Sequence, residues 1–144
     1  MRAVTEKYLI LWPMAAMAAL TFIVLSLVPM FRAGDVTAGR LKAHDFKMGE
    51  SERVPEATRL YNRNYMNLLE LPVLFYVVCL IIFVTGTAGP VKISLAWTFV
   101  LFRALHTLVH LTINQVLVRL TFFAAAAFAL MLLWATAFWA IIGL

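Results

Sequence analysis

Charge is what this sequence has least of. Asp, Glu, Lys and Arg make up 13% of its 144 residues, against 64% that are hydrophobic. A soluble domain is about half apolar and about a quarter charged. An apolar surplus of this size has no water-soluble interior to fill, so lipid must cover it. Cysteine occurs once, as Cys79 inside an apolar run, which excludes a disulfide framework and reads as a packed core thiol. Histidine occurs three times. No Cys/His zinc cluster, Gly-rich phosphate loop or nucleophile–base set is present. The absence of repeats and of broken helices argues against a small transporter subunit.

The apolar residues fall into four segments that meet the roughly 20-residue length of a membrane span, giving helices over about 8–31, 56–85, 91–113 and 116–143. The first run, Tyr8 to Phe31, is too long for the apolar core of a signal peptide and has no small-residue cleavage site after it, so it reads as a retained helix. The second starts polar and becomes apolar from Leu68 to Val84. Thr85-Gly-Thr-Ala-Gly-Pro90 is a breaker suited to a tight helical hairpin. Pro72, inside the second helix, removes a backbone hydrogen bond and is expected to bend the axis. The fold class is therefore all-α, an integral membrane four-helix bundle forming one domain over 1–144.

The net charge of +5 (12 Lys and Arg against 7 Asp and Glu) could suggest nucleic acid, but its distribution does not. Seven basic residues (Arg32, Arg40, Lys42, Lys47, Arg53, Arg59 and Arg63) lie between residues 32 and 63, with Asp35, Asp45, Glu50, Glu52 and Glu56 among them. That is a mixed-charge membrane loop. With Arg119, that face carries eight basic residues; Arg2, Lys7 and Lys92 give three on the other. The excess places the long first loop in the cytoplasm and both termini on the opposite side.

The informative residues are polar ones inside apolar helices. Arg59, Arg63, Asn67 and Glu70 follow steps of four, four and three on the second helix, and Arg103, His106 and His110 steps of three and four on the third. Each set forms one stripe. Arg103 sits near the middle of its span, where an unpaired guanidinium costs about 3 kcal/mol on the gentlest scale. Glu70 is the one acid in an apolar helical stretch, so the two are expected to pair. Taken alone, that is a buried ion pair fixing helix register. With Arg59, Arg63, Asn67, His106, His110 and Arg119 added, the cations outnumber the acids and suit an anionic ligand, arginine offering planar recognition of a carboxylate. The pair His106 and His110 has the spacing of two metal ligands, but too few further ligands accompany it, and no metal site is expected. Arg119 has a plain alternative role as an interfacial anchor.

These residues resemble the MAPEG family, the membrane-associated proteins of eicosanoid and glutathione metabolism. Arg63-x-x-x-Asn67-x-x-Glu70 followed by Pro72 looks like the family's second-helix signature. Arg103-x-x-His106-Thr107, with Arg119 sixteen residues after Arg103, looks like its third-helix and turn pattern. The resemblance covers essentially the whole chain. It implies a homotrimer with glutathione as cosubstrate, bound between subunits near the cytosolic face. By the same resemblance Arg63, Asn67, Glu70, His106 and His110 fall at glutathione-binding positions, Arg119 takes the catalytic position that stabilises the thiolate, and Arg103 belongs to the internal pair with Glu70. Arg40 matches a first-loop arginine loosely. The chain departs from the family pattern at His110 (tyrosine in the family), Met66 (arginine), Tyr65 (histidine) and Leu120 (serine in one synthase), so eicosanoid synthesis is not expected. The leading expectation is a glutathione-dependent transferase or peroxidase acting on lipophilic electrophiles. The other is a non-catalytic trimer of the same fold that binds a lipid or another anionic ligand. Membrane lipid is a partner in either case, and nucleic acid in neither.

Overall fold

The computed structural model describes residues 7–47 and 53–143. Four long helices dominate the described residues: α1, Leu11–Thr37; α2, Glu56–Thr85; α3, Pro90–Leu111; and α4, Val116–Ile142. All four are long and apolar enough to cross a bilayer, and together they form the all-α four-helix bundle expected of the composition. Loop residues Glu50, Ser51 and Glu52 and the N-terminal Arg2 lie outside the described residues.

Local chemistry sets the helix boundaries. Glu56 opens α2 after Pro55, an acid in the first turn facing the positive end of the helix dipole. The chain leaves α2 at Gly86, whose φ of 66° is the left-handed conformation that glycine adopts without strain, and the Thr87 amide returns to the Ile82 carbonyl at 3.2 Å. Pro90 then starts α3 at the position where a missing N–H is harmless. Helices α1 and α2 run unbroken through Pro29 and Pro72, each proline removing one backbone bond.

The sequence pattern ends the first span at Phe31, but α1 continues to Thr37. Asp35 explains the extension. Although it sits among charged residues, it is buried. Its carboxylate accepts from the Thr58 hydroxyl of α2 at 2.5 Å and from Arg40 Nε at 2.9 Å. Its carbonyl accepts the Arg40 and Leu41 amides. The last turn of α1 is thus tied to the first turn of α2, and Phe31 stacks on Tyr61 at 3.8 Å beside that tie. A short 3-10 turn, Ala43–Phe46, follows, with the Lys42 amide donating to Asp45 at 2.8 Å.

Helix α1 packs most extensively on α2, and α3 on α4. Met17, Val24, Leu68, Phe75, Ile82, Phe99 and Leu133 fill the core between them, and Phe75 stacks on Phe99 at 4.5 Å. Ala126, Ala129 and Ala137 are the buried small residues of α4, which let its backbone approach its neighbours closely. Trp139, Val84 and Leu117 are among the most exposed side chains, an outward apolar surface that only lipid or another apolar partner can cover.

Candidate functional site

Helix α3 is the polar spine of the bundle. Arg103 is 0% exposed, and His106, Thr107 and His110 are also buried. Arg103 Nη2 donates to the Asn67 carbonyl of α2 at 2.6 Å, next along the helix to the Leu68 carbonyl whose amide partner Pro72 removes. Its guanidinium lies 5.8 Å from the centre of the Phe123 ring on α4, a cation–π contact. Its Nε and Nη1 are buried without a hydrogen-bond partner, as are Asn64 Nδ2, His106 Nδ1, His110 Nδ1 and Arg119 Nε. Thr107 donates to Asn64 Oδ1 at 3.5 Å, and the two imidazoles meet edge to face at 5.8 Å.

An open recess lies beside this spine, lined by Asn67 of α2, His106 of α3, and Val116, Arg119, Leu120 and Phe123 of α4. Three residues of the expected site, far apart in sequence, therefore meet on one wall. Arg119 is half-buried at the start of α4, and its Nη1 donates to Asn114 Oδ1 at 2.6 Å. The only ion pairs among the described residues are Arg40–Asp35 and Arg53–Asp45, so Arg119 faces the recess with its charge unpaired. An electropositive niche with unpartnered N–H groups and an apolar rim can hold an anionic head while its apolar side meets an acyl chain or a hydrophobic solute.

The remaining expected site residues lie elsewhere. His110 is buried behind His106 and does not line the recess, and Arg63 and Glu70 are exposed on α2. The Glu70–Arg103 ion pair is not closed within one chain: no contact of 4.0 Å or less joins them among the described residues. The cause is rotational. The core face of α2 runs through Asn64, Leu68, Phe75 and Ile82, and a residue one step away is turned by about 100°. The stripe of Arg63, Asn67 and Glu70 therefore sits at the edge of the interface, with Asn67 alone half-buried.

Reading the sequence for chemistry missed Asn64, Asn114 and Phe123. The signal for Asn64 was its place one turn before Leu68, on the buried face. The signal for Asn114 was an asparagine in a short helix–helix connection, the residue type that tolerates a left-handed backbone. Phe123 carried none, being one aromatic among many. The family model described as the MAPEG family matches residues 10–139, nearly the whole chain. No curated protein and no solved structure matches it.

Proposed function

The chain belongs to the MAPEG family, and from that premise we propose that this integral, multi-pass membrane protein is a glutathione-dependent transferase or peroxidase acting on lipophilic electrophiles. One observation carries the reading: Asn67, His106 and Arg119 line a single recess, beside buried N–H groups that lack acceptors. An acceptor-rich, anionic peptide such as glutathione satisfies such groups. A neutral apolar ligand does not.

Each residue then has a role. The Arg119 guanidinium stabilises the thiolate of glutathione, lowering the thiol pKa and raising the nucleophilic fraction. Asn67 and His106 hold the peptide portion, and Phe123 with Val116 and Leu120 keeps the sulfur side apolar. The released proton passes to water at the mouth. The thiolate sulfur bonds to the electrophilic carbon as the leaving group departs with the bond's electrons, and the bilayer delivers that acceptor.

The proposal includes assembly as a homotrimer. Arg63 and Glu70 are exposed on α2, within a helix that reads as a span, where lipid would leave both charges unsolvated. A neighbouring copy covering them brings Arg63 and Glu70 to a ligand shared between subunits, with His110 supporting His106 from behind. The Glu70–Arg103 pair belongs to the same proposal, because Arg103 keeps two N–H groups without an acceptor. The first loop faces the cytoplasm by its basic excess, which puts Arg119 at the cytoplasmic mouth.

A second reading is favoured by His110, which is 1% exposed and outside the recess. It is a non-catalytic trimer holding a lipid head group or another anion. Thermal melting of the detergent-purified protein separates the two. Glutathione at about 100 times its Kd stabilises the folded state by about 2.7 kcal/mol if it binds there alone. A melting temperature raised by glutathione supports the enzyme reading; one raised by an anionic phospholipid and not by glutathione supports the second.

A further inference from the structure

Asn114 sits where α3 hands over to α4, and two independent features meet in it. Its backbone is left-handed, with φ of 46°, the only non-glycine residue with positive φ among those described. Its amide donates to the Val109 carbonyl at 2.8 Å, closing the end of α3. Its side-chain oxygen accepts from Arg119 Nη1 at 2.6 Å, across five residues. The first feature makes the turn, for which glycine serves equally well. The second does not follow from the first, and its only beneficiary is Arg119.

The chemistry of that contact is selective. A guanidinium presents its side-on fork through Nε and Nη2, the edge that Arg40 turns to Asp35 in this chain at 2.9 and 2.8 Å. Asn114 engages Nη1, the opposite corner, and leaves the fork free. Arg119 Nε is buried with no partner. The acceptor is also a neutral amide. A carboxylate at the same distance would hold the guanidinium equally firmly but compensate its charge. The first turn of α4 contains no acid, and the helix N-terminus there adds positive potential. The charged and titratable groups around it on the neighbouring elements are Arg103, His106 and His110 of α3 and Arg63 and Glu70 of α2.

We propose that Asn114 is a positioning residue, which fixes the Arg119 guanidinium by its Nη1 corner so that its uncompensated Nη2 corner faces the anionic atom of the ligand in the recess. The inference rests on the glutathione reading, with the thiolate sulfur as that atom. It separates two functions of one residue, turn and aim, that different substitutions take apart. Asn114→Gly keeps the backbone conformation and removes the oxygen. Asn114→Asp keeps the oxygen and the backbone, since aspartate also tolerates the left-handed region, and adds the compensating charge.

The test is a pH titration of the ultraviolet thiolate absorbance of glutathione bound to the full chain, for the original protein and both variants, with a thermal melt of each. The expected result is ionisation well below the pH at which free glutathione ionises in the original protein. In Asn114→Asp the midpoint rises by roughly 1 to 3 pH units, the size of effect that one nearby charge has on a neighbour. In Asn114→Gly the midpoint falls between the two, and both variants melt within a few degrees of the original. Three superimposed titrations would overturn the positioning role, leaving Asn114 as a turn residue while the glutathione reading stands. No thiolate in the original protein would overturn this inference and that reading together.

Discussion

Replacing Thr58 by valine tests how the long first loop is fastened to the bundle. Asp35 and Thr58 are each 4% exposed, and the hydroxyl donates to the carboxylate at 2.5 Å. Hydrogen bonds to charged groups contribute about 1.5–3 kcal/mol. Valine removes the donor with little change of shape and leaves Asp35 Oδ2 desolvated. The Arg40 side chain that also contacts Asp35 is 61% exposed, and an exposed ion pair of that kind contributes roughly 0.2–1 kcal/mol. The buried hydroxyl therefore outweighs the visible salt bridge. At roughly 2–4 °C per kcal/mol for a chain near this size, Thr58→Val lowers the melting temperature by about 3–12 °C, and Arg40→Ala by less. Circular-dichroism melts of the two variants in one detergent measure the difference. An Arg40→Ala variant as destabilised as Thr58→Val, or a Thr58→Val variant that melts with the original, would refute the reasoning.

Other expectations concern the assembly and the membrane. Glu70→Gln destabilises the protein by about 3–5 kcal/mol if it strands Arg103, and Glu70→Gln with Arg103→Leu recovers part of that loss; a double variant no better than the single one rules the pair out. A cysteine introduced at exposed His44, with Cys79 replaced by alanine, stays unlabelled by an impermeant thiol reagent in intact cells, whereas labelling from outside reverses the topology. Native mass measurement of the detergent-solubilised protein gives three copies; monomers or dimers alone contradict both the assembly and a site shared between subunits.

The bundle was readable in the sequence because four apolar runs and their breakers leave few alternatives. Gly86 and Pro90 act at the positions where a helical hairpin needs them. Asp35 was not readable as part of a helix. In a segment of alternating charge it resembles any loop acid, and only the arrival of Thr58 from α2 gives its carboxylate a buried partner. On α2 the polar stripe was visible, but its rotation was not. Leu68, Phe75 and Ile82 choose the core face by their bulk, which turns Arg63 and Glu70 outward and leaves Asn67 at the seam. On α3 the steps from Arg103 to His110 carried more, because every member of that stripe is buried. The meeting of Asn67, His106 and Arg119 depends on how three helices cross, which no periodicity within one helix specifies.

The central claim is that Arg119 generates a thiolate on glutathione, and difference spectroscopy on Arg119→Leu tests it most directly. The account predicts that glutathione added to the original protein produces the ultraviolet thiolate band at neutral pH. It predicts that Arg119→Leu folds and assembles normally, loses that band, and conjugates a hydrophobic electrophile at least about tenfold more slowly, as expected when a thiol loses the cation that lowers its pKa. An Arg119→Leu variant with an undiminished band and undiminished turnover contradicts the claim, as does an original protein on which glutathione gives no band at all.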